Sequence, residues 1–106
     1  MDSLNADSIV ASIVAALNNY PECPHSDFYV GITNNLDRRL ADHQVMRDDC
    51  LRILRATSYD EAHMAESTLI NLHQMTGNLG GGTDDSVWVY CYKITDDSIE
   101  RTNDAQ

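Results

Sequence analysis

Apolar residues recur along the chain with two different periods, and the switches between them mark out the elements. From about Asp7 to Asn18, Ile9, Val10, Ile13, Val14 and Leu17 fall on one stripe at helical spacing, with Asp7 or Ser8 available to cap the start. Asn18-Asn19-Tyr20-Pro21 ends that helix, and Pro21 with Pro24 predicts a short extended linker. Asp27 to Thr33 then alternates: Phe28, Val30 and Ile32 point one way, Tyr29, Gly31 and Thr33 the other. This is the pattern of a strand with one face in a core and the other kept small around a tyrosine. Asn34-Asn35 breaks the strand and caps a helix expected over Leu36 to Arg47, where Leu36 and Leu40 share one stripe and Arg39 and His43 another. Leu51 to Thr57 predicts a short strand, with a helical continuation as the alternative. Ser58-Tyr59-Asp60-Glu61 has the form of a capping box. The helix it opens is expected to run to about Met75 and to bury Ala62, Ala65, Leu69, Ile70 and Leu72, with Glu66 beside that stripe and Gly77 as its stop. Asn78-Leu79-Gly80-Gly81-Gly82 predicts a permissive loop. Ser86 to Ile94, dense in valine, tyrosine and tryptophan, is the strongest strand signal in the chain.

The order helix, strand, helix, strand, helix, strand predicts an α+β fold: a small three-stranded mixed or antiparallel sheet flanked by helices. A chain of 106 residues accommodates one domain. Residues 1–24 would form an amino-terminal helix and linker, 27–94 the core, and 95–106 a polar, flexible tail.

Composition narrows the setting. No apolar run is long enough to span a bilayer, and the first residues lack the basic-then-apolar order of a secretory signal, so the expectation is a cytoplasmic protein with no membrane partner. Cys23, Cys50 and Cys91 are odd in number and far apart, which argues against a disulfide framework or a structural zinc site. Cys23-x-His25 with His43 and Cys50 does not have a convincing ligand spacing, and His63 and His73 read as structural or surface residues. Charge changes the picture more. The chain carries 17 acidic side chains against 7 basic ones, a net of −10, and Lys93 is its only lysine. Affinity for nucleic acid comes largely from Lys and Arg neutralising phosphates, so DNA binding would require the arginines (Arg38, Arg39, Arg47, Arg52 and Arg55) to cluster around Tyr29. The acidic surface could otherwise reflect a saline habitat, or bind a basic protein partner by imitating DNA.

One segment resembles a known family. Tyr29-Val30-Gly31-Ile32-Thr33-Asn34-Asn35-Leu36-Asp37-Arg38-Arg39-Leu40 is similar to the second half of the GIY-YIG nuclease motif: a tyrosine-apolar-glycine strand end, a polar turn, and a helix carrying an arginine. Arg39 matches the arginine, and Ala41-Asp42-His43 resembles the tail of the same helix. Ala62-His63-Met64-Ala65-Glu66-Ser67-Thr68-Leu69-Ile70 resembles the later helix that carries the family's glutamate, and Asn78 lies where an asparagine often follows it. Four spaced matches are far more specific than a lone Tyr-x-Gly. The glycine-apolar-tyrosine strand that normally opens the motif is missing ahead of Tyr29. Trp88-Val89-Tyr90-Cys91-Tyr92-Lys93-Ile94-Thr95-Asp96 resembles it instead, with Tyr90 at the motif tyrosine. The resemblance therefore implies a circularly permuted GIY-YIG arrangement in which the carboxy-terminal strand lies beside the Tyr29 strand.

It also implies an activity, metal-dependent hydrolysis of a DNA phosphodiester. Glu66 would hold a single divalent ion, Mg²⁺ or Mn²⁺; Arg39 would grip the phosphate, with Gly31 and Arg38 near the substrate. Tyr29 or Tyr90 would orient or deprotonate the attacking water, which asks for a nearby cation because an ordinary phenol titrates near 10. Asn78 would fix Glu66 or the substrate, and His43, one turn beyond Arg39, could assist. An enzyme this small would have to form a homodimer or join a larger assembly to cut both strands. Two other functions compete: a non-catalytic acidic interaction protein or inhibitor on the same scaffold, and a binder of a small phosphorylated ligand gripped by Arg39 and the glycine-rich loop.

Overall fold

The computed structural model describes residues 3–78 and 83–100. Its elements are β1 (Ser3–Leu4), α1 (Ala6–Leu17), β2 (Phe28–Thr33), α2 (Leu36–His43), β3 (Cys50–Ala56), α3 (Tyr59–Asn71), β4 (Thr76–Gly77) and β5 (Trp88–Lys93), with 3₁₀ turns at His25–Asp27 and Arg47–Asp49. The α+β expectation holds. The three-strand count does not: the sheet has five strands in the order β1-β3-β5-β2-β4. The two additions are edge strands of two residues each, too short to leave a period in the sequence.

The three central strands form the frame. β5 runs antiparallel to both β2 and β3, pairing Gly31 with Tyr90 on one side and Ile53 with Tyr90 on the other. The strand expected over residues 86–94 is shorter, Trp88–Lys93, and lies directly beside residues 28–33. β1 adds parallel to β3, and β4 parallel to β2 at Tyr29 and Val30 only.

Alternation along the strands divides the apolar residues between two cores. On one face Phe28, Val30 and Ile32 of β2 and Val89 and Cys91 of β5 pack against Ile9, Ile13 and Leu17 of α1 and Ala62, Ala65 and Leu69 of α3. On the other, Tyr29, Tyr90 and Tyr92 pack against Leu36 and Leu40 of α2 and against Val45.

Helix boundaries differ from the expected ones for identifiable reasons. Asn5, rather than Asp7 or Ser8, caps α1, its side chain accepting from the Ser8 N–H. Ser58 caps α3 by accepting from the Glu61 N–H, but the Glu61 carboxylate reaches to α1 and accepts from the Ala6 N–H at 2.7 Å. The expected capping pair is thereby partly diverted into a tie between two helices. α2 stops at His43, not Arg47, and α3 at Asn71, not Met75. In both cases a glutamine adopts the left-handed conformation, Gln44 at φ 57° and Gln74 at φ 64°. The next residue is apolar and buried, and its N–H reaches back into the last turns of the helix: Val45 N–H to Leu40 O, and Met75 N–H to Leu69 O. Gly77, expected as the stop of α3, lies in β4. A Cβ there would stand 2.9 Å from both Ile70 Cγ1 and Val30 O, so close approach of the edge strand to β2 and α3 requires glycine.

The three cysteines are free thiols. No helix among the described residues is long and apolar enough to cross a membrane. Residues 95–100, assigned to a polar tail in the sequence, run back over the second face. There the Ile99 N–H donates to the His43 carbonyl at 2.8 Å, and Tyr92 donates its phenol hydrogen to Glu100 at 3.0 Å.

Candidate active site

Among the described residues β4 pairs with β2 only at Tyr29 and Val30, and no described strand lies beside Gly31 and Ile32 on that edge. At that edge side chains from the two faces of the sheet meet. Tyr29 and Gly31 of β2, Tyr90 of β5, Arg39 of α2, Glu66 of α3 and Asn78 after β4 line one small cavity together with Ile32. All six of these polar and glycine positions are expected from the sequence to belong to one site, and they are contiguous in space. The cavity holds about 10 Å³, room for about one water. Tyr29 and Asn78 also line a neighbouring cavity of about 200 Å³, whose other walls are Thr76, Gly77 and Glu100.

Gly31 is glycine because the phenols crowd it. A Cβ at this position would stand 2.6 Å from Tyr90 Cζ and 3.1 Å from Tyr29 Cε1. Gly31→Ala is therefore expected to displace the Tyr90 ring, lowering stability by about 1–3 kcal/mol, as overpacking does. A denaturant melt that leaves the variant as stable as the parent would contradict this packing.

Glu66 is the most unusual group. It is 3% exposed, and its Oε1 is buried with no hydrogen-bond partner among the described residues. Loss of solvation pushes its carboxyl up to about 8, so at neutral pH it is largely protonated. The phenols move the same way. Tyr29 is raised to about 12, first by burial and then by the Glu66 charge, with Arg39 opposing. Tyr90 is raised further, chiefly by burial, although Arg39 is hydrogen-bonded to it and pulls the other way. The cation that a tyrosine base would need is present in Arg39, but desolvation outweighs its effect on both phenols.

His43 lies behind Tyr90. It is fully buried, with its ring 4.9 Å from that of Tyr29, and its Nε2 is 2.8 Å from the Tyr90 hydroxyl. Its Nδ1 meets the Ile99 carbonyl. A carbonyl can only accept, so Nδ1 carries the hydrogen and Nε2 is the acceptor for Tyr90 O–H. Burial, which depresses the imidazole's proton affinity, keeps this neutral tautomer in place.

The remaining expectations divide. Arg38 is exposed on α2 and is not among the residues lining the cavity. The five arginines do not form one patch: Arg47 pairs with Asp37 at 3.0 Å, Arg52 donates to Ser12 of α1, and Arg55 stacks over Trp88. The glycines Gly80, Gly81 and Gly82, expected to help grip a phosphate, lie outside the described residues. The sequence gives no reason to expect Ile99 and Glu100 near the site. They follow β5 in a polar stretch with no periodicity, and only the fold brings them to His43 and Tyr29.

A metal has one candidate ligand here. Among the described residues no group of three or more His, Cys, Asp or Glu side chains is placed to hold an ion. Glu66, whose Oε1 has no partner among the described residues, is the group that would face a hard divalent cation, an ion that takes most of its shell from water and substrate oxygens. Comparison with family models, with curated proteins and with solved structures finds no match.

Proposed function

We propose that the chain is a metal-dependent phosphodiesterase acting on DNA through a circularly permuted GIY-YIG-type site. The observation that carries this reading is the convergence of Tyr29, Arg39, Glu66, Asn78 and Tyr90 on one cavity from five different parts of the chain. The placement of β5 against β2, where the missing opening strand would lie, supports the permutation.

In this reading Glu66 would hold a Mg²⁺ or Mn²⁺ ion, whose charge would stabilise the developing negative oxygens of the phosphate. Arg39 donates to a non-bridging phosphate oxygen through its planar fork. Water attacks phosphorus, one P–O ester bond breaks, and the departing oxygen leaves with the electron pair and is then protonated by solvent. The proton released by the attacking water passes to the Tyr90 oxygen as Tyr90 gives its own to His43 Nε2, a relay for which the hydrogen bond between the two is in place. Tyr29 orients the water from the other wall, and Asn78 positions substrate at the mouth. One cavity cuts one strand, so a double-strand cut calls for two copies.

Incubation of the protein with plasmid and with single-stranded DNA in Mg²⁺ or Mn²⁺ tests this. Cleavage is expected, and Arg39→Ala is expected to slow it by about 10²–10³-fold, the usual effect of removing one charge-stabilising donor. Cleavage unaltered by Arg39→Ala would defeat the site assignment. A folded protein that cuts nothing at any salt concentration would favour the non-catalytic acidic interaction protein, a reading supported by the net charge of −10 and by the dispersed arginines.

A further inference from the structure

The sheet face that carries Tyr29 and Tyr90 continues past the cavity. Trp88 precedes Tyr90 by two residues on β5, so it shares that face about 7 Å further along the strand. Directly across from it in register is Arg55 of β3, whose guanidinium carbon lies 5.8 Å from the centre of the indole ring. Trp88 is half-buried, one side packed against the second core, and Arg55 is exposed. In a chain with 17 acids and 7 bases, an exposed arginine would ordinarily find a carboxylate. Among the described residues Arg55 has none, and its stacking on Trp88 is its one interaction.

We infer that Trp88 and Arg55 form a subsite for an unpaired nucleotide, in which the exposed guanidinium swings off the indole to meet the adjoining phosphate and the base takes its place on the ring. The inference rests on the reading of the neighbouring cavity as a phosphodiester site and names the kind of strand it takes. The charge distribution argues for a single strand. A duplex keeps its bases inside and offers mainly a ladder of phosphates, which an acidic protein with scattered arginines binds poorly. A single strand can turn a base toward the sheet, where stacking supplies affinity that does not depend on net charge. Asp85, three residues before Trp88, is engaged by Asn34 at 3.1 Å and by Thr83, so its charge is partly satisfied within the loop. Its position still disfavours a second phosphate on that side, which again fits one splayed nucleotide rather than a backbone track.

The experiment uses the fact that Trp88 is the only tryptophan, so emission excited where tyrosine does not absorb reports stacking on this residue alone. The full chain is titrated with an oligothymidine of about eight nucleotides, a length typical of small single-strand sites, and with a duplex of equal length, in EDTA so that cleavage cannot intervene. Saturable quenching by the single strand and little by the duplex is expected. Arg55→Ala should weaken the single-strand affinity roughly tenfold or more. Trp88→Phe keeps an aromatic ring for folding and should weaken binding less than Trp88→Ala when followed by anisotropy of a labelled strand. Anisotropy that reports binding while emission stays unchanged would overturn the inference, as would equal quenching by duplex or no binding of either. Quenching without cleavage in Mg²⁺ would remove the nuclease reading and leave the subsite standing. Cleavage with unaltered emission on single-strand binding would do the reverse.

Discussion

Glu66→Gln is expected to abolish cleavage and, at the same time, to make the protein more resistant to heat above neutral pH. Two effects of one carboxyl group are separable here because it is buried without a partner for Oε1. In the unfolded chain the group titrates at its ordinary 4.5, whereas in the folded protein burial raises it to about 8. Between those values the folded state retains a proton that the unfolded state has released. Stability is therefore undiminished below about pH 4.5, falls as pH rises, and levels off above about 8. Each unit of that window is worth about 1.4 kcal/mol, so the ionised group opposes folding by a few kcal/mol, out of a total of about 5–15 for a domain. An uncharged amide at this position would carry no such dependence. Thermal melts from pH 5 to 9 should show the parent losing stability with pH and the variant changing less, with the variant higher by roughly 10–20 °C at the alkaline end. Millimolar Mg²⁺ at pH 8 should raise the parent's melting point and leave the variant's unchanged. Because the ion needs the ionised carboxylate, the Mg²⁺ concentration for half-maximal cleavage should fall about tenfold per pH unit up to about 8. The loss of cleavage should be about 10³-fold or greater, several kcal/mol of charge stabilisation. Parallel pH dependences of stability in parent and variant would show that Glu66 is not the desolvated group described here.

How much of this is legible in the letters depends on the length of the signal. The three central strands and three helices each carry enough apolar residues to reveal a period, and the cavity residues Tyr29, Arg39, Glu66, Asn78 and Tyr90 are all singled out by the sequence alone. What the sequence hides is short or conformational. β1 and β4 have two residues each, and no period exists in two residues. The ends of α2 and α3 fall earlier than expected because the residues that adopt positive φ are Gln44 and Gln74, not glycine. The usable signal is instead the buried apolar residue that follows each, Val45 and Met75. Protonation is less legible still. Arg39 beside a tyrosine suggests a lowered phenol, but the sequence does not reveal that both phenols and Glu66 lose so much solvent that burial decides the direction for all three. The contribution of Ile99 is a backbone carbonyl, which no side-chain motif encodes.

That carbonyl bears on the division of labour between the two tyrosines. Tyr90→Phe is expected to reduce both stability and rate, Tyr29→Phe the rate alone. Removing the Tyr90 hydroxyl leaves His43 Nε2 buried and without its 2.8 Å partner, a loss of about 1–3 kcal/mol. It also interrupts the path by which a proton leaves the attacking water, and general-base steps of this kind contribute about 10²–10⁴-fold. A phenol raised this far cannot stand ionised at neutral pH, so in the proposed mechanism Tyr90 would work by passing its hydrogen on as it receives another. His43 can receive it only while neutral. Burial lowers the imidazole below its usual 6.5, so the limb of the rate profile that reports His43 should fall below pH 6.5 at saturating Mg²⁺, where the Glu66 limb has been titrated away. An imidazolium formed in such a transfer would keep its Nδ1–H on the Ile99 carbonyl, an interaction that favours the charged ring against the burial that opposes it. A Tyr90→Phe protein that melts and cuts like the parent, with Tyr29→Phe inactive, would move the proton path to the other wall of the cavity and leave His43 as packing.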